Sequence, residues 1–303
     1  MTARAPLPPD FAARSFLARV ALDAGISPKR LRAKDLSGDV WGTRAPSGAA
    51  GDLRAKCSRY LLRMPPHAVF THVTAARLHG LPLPPALERR RAIDVSFPAP
   101  RRAPDIRGIR GHQLRRLEES VASLDGLPVT TVARTWCDLA TLLDLGTLVA
   151  VGDAIIYHRR NLATLEELQR AVDEFPGRRG RAALGRALPL LSGRAESPGE
   201  SRLRVILASS GFPRLLVNTE LRDRMGRFVA RPDLRFADFP IAIEYEGDYH
   251  RTDREQWMKD VTRIADVEGL GLTVIRCTAA DVRDSASMIR RVEAHLARHG
   301  WKR

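Results

Sequence analysis

The spacing of apolar residues is most regular in the last third of the chain. The stretch Ser197–Glu200 has the spacing of a capping box, in which a serine and a glutamate three residues later satisfy free amides at a helix start. Leu203, Ile206 and Leu207 follow at the interval of one helix face. The pattern therefore predicts a helix beginning near Ser197, with its apolar face against a core.

Apolar runs after this helix predict four extended segments and two more helices. The strands are expected at residues 215–221, 228–236, 241–246 and 272–277, and the helices at residues 252–269 and 279–298. A capping box at Thr252–Glu255 and a glycine at Gly269 set the limits of the first of these helices. The predicted order is α-β-β-β-α-β-α, which describes an α/β domain over residues 191–303.

The beginning of the chain has the outline of a helix-turn-helix. Helices are expected at residues 11–24 and 28–36, and residues 39–44 are expected to form a short strand or wing. The second helix carries four basic side chains that are candidates for DNA binding: Lys29, Arg30, Arg32 and Lys34. Basic helical hairpins also occur in proteins that never contact DNA, so a purely structural role is an equal alternative.

A segment rich in Pro, Gly and Ala at residues 45–51 separates this module from the next. The expected domains are residues 1–46, a mixed α/β middle module at residues 52–190, and residues 191–303. In the middle module, His72 and His79 have no third ligand at a metal-binding spacing. We therefore interpret both as surface or core histidines.

The composition of the chain gives it a large positive net charge. The 303 residues are 44% hydrophobic and carry a net charge of +15, with most of the excess upstream of residue 190. Such a surplus attracts polyanions, so DNA is the expected partner, although the arginine usage of a GC-rich genome is an alternative source of the charge. The three cysteines form no C-x-x-C pair, and short apolar stretches predict a cytoplasmic protein without a membrane partner.

Acidic residues are placed unusually on the expected strands. Side chains alternate along a strand, so Glu244 and Glu246 share one face. A hairpin turn at residues 238–239 would place Asp233 opposite Glu244. Like charges paired in this way are destabilising, and a bound divalent cation would remove the conflict. Ligation by carboxylate oxygens suits Mg²⁺ or Mn²⁺.

Two further residues are candidates for this site. Glu200 lies on the apolar face of its helix and is a candidate metal ligand, although the capping box explains a glutamate there without a metal, and Glu196 is the alternative. His250 follows Glu246 after a short turn, where an imidazole can act as general acid or base. A solvated loop histidine is the alternative interpretation of His250.

These residues resemble a known motif. Arg231–Asp233 and Glu244–His250 are similar to the motif of the PD-(D/E)XK nuclease superfamily, and within it to the very-short-patch-repair endonucleases. The resemblance implies a restriction-endonuclease-like fold, Mg²⁺ held by Asp233 and Glu244, and a catalytic His250. Glu246 stands at the position of the superfamily's lysine, which is commonly another residue in the similar branch.

The upstream region resembles the antitoxins of AbiEi type. The resemblance lies in the stretches Ala68–Pro82 and Gly126–Thr135. It implies an N-terminal winged-helix-like module and a role in promoter binding or toxin-linked regulation.

Together these patterns lead to two functional hypotheses. The first is a metal-dependent DNA endonuclease with an N-terminal DNA-binding module and the catalytic residues Asp233, Glu244, Glu246 and His250. The alternative is a DNA-binding antitoxin or transcriptional repressor with an inactive nuclease-like scaffold, with a toxin or a second copy as its partner. An RNA-directed enzyme is a third and weaker hypothesis.

Overall fold

The chain forms two compact units of mixed helix and strand. The computed structural model describes residues 5–46, 52–100, 106, 108–247 and 264–303. The first unit comprises Met1–Leu139 and Glu174–Arg178, and the second comprises Ala140–Asp173 and Arg179–Arg303. The protein thus has the α/β class that the sequence predicts. In the described segments, no helix is both long and apolar enough to cross a membrane.

The first unit begins with a small module of short elements. Its helices are α1 (Pro9–Ala12), α2 (Ala18–Asp23) and α3 (Pro28–Leu31), and its strands are β1 (Phe16–Leu17), β2 (Leu36–Ser37) and β3 (Thr43–Pro46). The strands form an antiparallel sheet in the order β1-β3-β2. Gly25, with φ +84°, forms the turn between α2 and α3. Phe16, Ala21 and Leu31 are among the apolar residues of the module's core.

The two helices that the sequence predicts for this module are both shorter in the structure. The expected helix at residues 11–24 is divided because Phe16 and Leu17 pair with β3 and leave the helical conformation. The expected helix at residues 28–36 ends at Leu31, and Leu36 instead begins β2. Pairing with the hairpin at residues 36–46 therefore overrides local helix propensity.

The remainder of the first unit is built on a five-stranded sheet. The strands are β4 (Val69–Phe70), β5 (Ile93–Pro98), β6 (Ile109–Leu114), β7 (Val121–Leu124) and β8 (Leu127–Thr130), in the order β6-β5-β4-β8-β7. The helices are α4 (Leu53–Leu61), α5 (His72–Leu78), α6 (Pro85–Glu88) and α7 (Val132–Leu139), with a 3₁₀ turn at Glu118–Ser120. Strand β5 is parallel to β6, and α5 packs against both β5 and α7.

The second unit begins with helices. They are α8 (Leu145–Ile156), α9 (Leu165–Asp173), α10 (Arg181–Ala187) and α11 (Pro198–Ser209), with a 3₁₀ turn at Leu188–Leu190. Helix α8 packs on α11, and buried Asp153 of α8 accepts hydrogen bonds from Ser201 at 2.7 Å and Arg204 at 2.5 Å. These helices therefore join the C-terminal unit, which differs from the expected limit near residue 190.

A four-stranded sheet forms the centre of the second unit. Its strands are β9 (Leu215–Val217), β12 (Leu234–Phe236), β13 (Ile241–Glu246) and β14 (Thr273–Thr278), in the order β14-β13-β12-β9. Strand β13 is parallel to β14, and the other pairs are antiparallel. Strands β10 (Leu221–Arg222) and β11 (Phe228–Ala230) form a separate ribbon.

The expected element order is present, with two differences in detail. The segments expected as single strands at residues 215–221 and 228–236 each divide in two, because Asn218 adopts φ +46° and residues 231–233 leave the extended pairing. After β14, α12 (Ala279–Arg283) and α13 (Ala286–Arg298) replace one expected helix, since Asp284 is extended between them. Of the helix expected at residues 252–269, the described part is helical over residues 264–269.

Candidate functional site

Two acids meet across the β12–β13 hairpin. Leu234 pairs with Ile243 and Arg235 with Ala242, so Asp233 and Glu244 occupy the next positions of the two segments, just beyond the paired residues. This is the register that the sequence predicts. The Asp233 carboxylate accepts a hydrogen bond from the backbone amide of Tyr245 at 2.7 Å, which holds it beside the strand that carries Glu244.

The two faces of β13 have different surroundings. Ile243 and Tyr245 pack into the core formed with α11 and α13. Ala242 packs on the opposite face, with Val267 from the helical residues 264–269. Because side chains alternate along a strand, Glu244 lies on the face of Ala242, and it is 5% exposed. A carboxylate so deeply buried requires a cation or strong donors around it.

Glu200 is held by structural hydrogen bonds. Its Oε2 accepts from Asn218 Nδ2 at 2.9 Å and from the backbone amide of Glu196 at 3.0 Å. The helix that carries it packs on the Ile243 face of the sheet, opposite to the face of Glu244. Glu196, the alternative ligand, forms an ion pair with Arg231 at 2.7 Å. The fold therefore gives both residues a role that needs no metal.

Glu246 has a cationic partner that sequence reasoning missed. Its carboxylate is paired with the guanidinium of Arg276 on the neighbouring strand β14. The parallel register aligns Glu244 with Arg276 and Glu246 with Thr278, so Arg276 lies directly beside Glu244 and two residues before the partner of Glu246. Arg276 reduces the repulsion between acids that the sequence pattern implies. Only the parallel pairing of β13 and β14 places it there.

The other candidate ligands bear on which metal the Asp233 and Glu244 pair could bind. His250 lies outside the described residues. Within the described ranges, no three Asp, Glu, His or Cys side chains are placed to hold a metal ion together. Mg²⁺ is typically bound through one or two protein carboxylates, with water and substrate phosphate completing its shell. The pair Asp233 and Glu244 is consistent with that mode of binding.

The four basic residues expected on the second helix, two of which lie after the end of α3, fall into two groups. Arg30 forms a bidentate ion pair with Asp35, at 3.0 and 2.8 Å, and donates to the Ala5 carbonyl at 2.6 Å. The side chains of Lys29, Arg32 and Lys34 are exposed. Arg30 is thus engaged within the module, whereas the other three are exposed, with Arg32 Nε donating to the Pro28 carbonyl at 3.1 Å.

Sequence reasoning also missed a polar cluster in the first unit. The strand β5 is buried along its length, yet it carries Asp94 and Ser96 on one face. Buried polar residues on a central strand are a signal in the sequence itself, since an ordinary core strand has apolar residues on both faces. No spacing in the sequence links His72 or His112 to Asp94 and Ser96.

Comparison with known proteins identifies relatives of this α/β chain but not a described family, because no family description matches it. Two proteins of Mycobacterium tuberculosis, uncharacterized protein MT2308 of strain CDC 1551 / Oshkosh and uncharacterized protein Rv2248 of strain ATCC 25618 / H37Rv, are each 30% identical over 248 residues. The alignment covers 82% of this chain and 87% of each relative. The chain belongs to the family of these two proteins.

One solved structure is a more distant neighbour. The crystal structure of the RV2827C protein from Mycobacterium tuberculosis is similar with a TM-score of 0.42 and 18% identity, covering 64% of this chain and 76% of that chain. A likeness at this level carries no argument about function.

Proposed function

We propose that the protein is a Mg²⁺-dependent DNA endonuclease whose catalytic domain is restriction-endonuclease-like. The observation that carries the proposal is the hydrogen bond from the Tyr245 amide to Asp233, which holds Asp233 beside the strand that carries Glu244, just beyond the paired residues of the β12–β13 hairpin. Two acids placed close together repel each other, and a bound cation would offset that repulsion. The resemblance of this segment to the PD-(D/E)XK motif supports the same chemistry.

Asp233 and Glu244 would hold the metal in this proposal. When bound, Mg²⁺ stabilises negative charge on the scissile phosphate and lowers the pKa of an attacking water. The Tyr245 amide fixes the orientation of Asp233, and the packing of Tyr245 on α11 fixes that amide. Glu246 and Glu200 act as structural residues, through Arg276 and Asn218. His250 remains the proposed general acid or base.

The N-terminal module would hold the duplex. Its short helices followed by the β2–β3 hairpin are consistent with a winged-helix-like module. Exposed Lys29, Arg32 and Lys34 would contact phosphates, while Arg30 stabilises the module through Asp35. Phosphate contacts of this kind position a protein on DNA without selecting a sequence.

Cleavage of supercoiled plasmid tests the proposal. With Mg²⁺ or Mn²⁺ the wild type should nick or linearise the plasmid, and EDTA should abolish this activity. Asp233→Asn and Glu244→Gln should each lower the rate by at least ~10²-fold while DNA affinity in EDTA is unchanged, because these side chains serve the metal. Glu268→Gln, at an exposed position of the same unit, is the matched control. Equal rates in all four proteins would overturn the proposal.

A second function is supported by the partners of the other acids. Glu246 is neutralised by Arg276, and Glu200 is engaged by Asn218, so two of the expected active-site carboxylates have structural roles. This favours a DNA-binding repressor or antitoxin with an inactive scaffold. Such a protein would bind duplex DNA in EDTA at full affinity and cleave none of it with either metal.

A further inference from the structure

A buried polar cluster lies on one face of the five-stranded sheet. Asp94 and Ser96 of β5 are fully buried. The parallel register places Arg110 and His112 of β6 beside them. His112 Nε2 lies 2.9 Å from Asp94 Oδ1, while Arg90 and Arg110 approach the same carboxylate at 3.7 and 4.0 Å. The buried Asp94 carboxylate thus orients the imidazole of His112. The guanidiniums of Arg90 and Arg110 lie close to the same carboxylate.

A second imidazole completes the cluster. His72, the first residue of α5, stacks on His112 with ring centroids 3.9 Å apart and planes inclined by 13°. Its Nδ1 lies 2.9 Å from Thr71 Oγ1, which lies 2.6 Å from Ser96 Oγ. The backbone of His72 has φ +49°, a left-handed conformation that costs a non-glycine residue of order 1–3 kcal/mol. Such strain persists where the surroundings impose a geometry, as they do at binding sites.

The charges around His72 are predominantly positive. Burial, and after it the neighbouring His112 and three arginines, lower the pKa of His72 to about 3. The third arginine, Arg134, is itself buried and pairs with Asp138 at 2.9 Å. Three guanidiniums therefore stand against two carboxylates. His72 is neutral at physiological pH, first because it is buried and then because its surroundings carry positive charge.

The cluster has an unused donor and an opening to solvent. Arg90 Nη1 is buried and forms an ion pair with Asp94 Oδ2 at 3.7 Å, but it makes no hydrogen bond among the described residues. A buried donor without an acceptor costs about 1–3 kcal/mol, which an anionic oxygen would offset. The Arg110 side chain is 51% exposed and that of His112 is 19% exposed. Among the described residues, the cluster is therefore exposed to solvent on the side of Arg110.

We propose that His72, His112 and Arg110 form a binding site for a phosphate group, with Arg90 and Arg134 adding positive charge. A phosphate monoester has nearly two negative charges and three acceptor oxygens, whereas a carboxylate has one charge and two oxygens. The arginine fork matches phosphate geometry, and the neutral imidazole of His72 has one ring N–H that can donate. This site belongs to the first unit and does not depend on the proposed nuclease activity.

Histidine side-chain ¹H–¹⁵N spectra of the full-length protein test the site. Inorganic phosphate is added at constant ionic strength, with potassium chloride as the exchanged salt. The His72 and His112 signals, assigned from His72→Gln and His112→Gln, should shift saturably. Arg110→Ala should raise the Kd at least ~10-fold, because it removes a charged hydrogen-bond donor. Its side chain is half exposed, so the variant should fold. Arg115→Ala, at an exposed position after β6, is the matched control.

Two more probes identify the source of the phosphate group. Equal Kd values for inorganic phosphate and adenosine monophosphate assign the site to free phosphate compounds. Binding of a 5′-phosphorylated tetranucleotide that is at least ~10-fold tighter than that of its 5′-hydroxyl counterpart assigns it to nucleic-acid ends. The absence of a saturable shift with every probe, or an unchanged Kd in Arg110→Ala, would overturn the proposal.

Discussion

At the scale of single residues, burial decides how a side chain responds to pH. His72 is 9% exposed, and its pKa is lowered to about 3, first by burial and then by His112. In the unfolded chain a histidine has a pKa of about 6.5. Between these two values the unfolded state binds more protons than the folded state. The stability associated with His72 is therefore complete above about pH 6.5 and is lost as the pH falls toward 3.

This difference predicts a pH-dependent effect of His72→Gln. The unfolding free energy of the wild type should fall as the pH decreases from 7 to 4.5, by up to about 1.4 kcal/mol per pH unit in this window from His72 alone. The variant lacks that contribution, so its stability deficit should shrink as the pH falls. Urea unfolding at pH 7, 5.5 and 4.5 measures the deficit. His299→Gln, at an exposed position, should have the same small effect at each pH.

A deficit of His72→Gln that stayed constant across these pH values would contradict the low pKa. It would also remove the positive surroundings as an argument for an anion at this position. The spectra with phosphate would then have to support the site alone.

At the scale of elements, the contact between α11 and β13 positions the acid pair. A Cβ atom added at Gly199 would lie 2.0 Å from the ring of Tyr245, so only glycine permits this approach. The amide of Tyr245 in turn orients Asp233. Gly199→Ala should therefore destabilise the protein by about 1–3 kcal/mol through overpacking and should also reduce metal-dependent cleavage.

Thermal melts and plasmid cleavage measure the two effects of Gly199→Ala. Gly185→Ala is the matched control, since a Cβ at Gly185 of α10 would meet nothing within 4 Å. The control should be neutral or stabilising by about 0.5–1 kcal/mol, as alanine favours a helix. If Gly199→Ala and Gly185→Ala had the same Tm, the contact between α11 and Tyr245 would not be tight.

The short helix α3 offers a second prediction at this scale. Changing Lys29, Arg32 and Lys34 together to Ala should reduce the dependence of log affinity for duplex DNA on log salt by up to about 2–3 units, if each contacts one phosphate. Arg30→Ala should instead lower stability, because it breaks the bidentate pair with Asp35. Fluorescence anisotropy at several salt concentrations measures the slope. An unchanged slope in the triple variant would assign α3 a structural role.

At the scale of the whole molecule, metal binding should raise the stability of the folded protein. A ligand that binds only the folded state stabilises it by RT ln(1 + [L]/Kd), which is about 1.4 kcal/mol at a tenfold excess over Kd. For a unit of 150–250 residues this corresponds to roughly 3–6 °C in Tm. The wild type and Glu268→Gln should show this shift with 10–20 mM Mg²⁺, roughly tenfold above a millimolar Kd. Glu244→Gln should not.

The measurement separates the metal site from catalysis, because it needs no substrate. A Tm that is unchanged by Mg²⁺, Mn²⁺ and Ca²⁺ in the wild type would mean that Asp233 and Glu244 form no metal site. The repressor hypothesis would then explain the protein better than the nuclease hypothesis.

Local patterns in the sequence determined much of the second unit and one part of its candidate site. The N-cap at Ser197, the strand at residues 241–246 and the register of β12 against β13 all follow from periodicities of a few residues and from the position of one turn. The register of a hairpin depends on its turn and on the residues next to it, so the local sequence determines it.

Only the tertiary structure decided which polar groups meet over long distances in the chain. Arg276 reaches Glu246 because β13 pairs in parallel with a strand about thirty residues later. His72 stacks on His112 because α5 packs on the face of the sheet that carries Asp94. Likewise, pairing with β3 shortened the first helices. Such partners are set by strand order and packing, which residue spacing does not encode, and they determine the charge, the burial and the pKa of these groups.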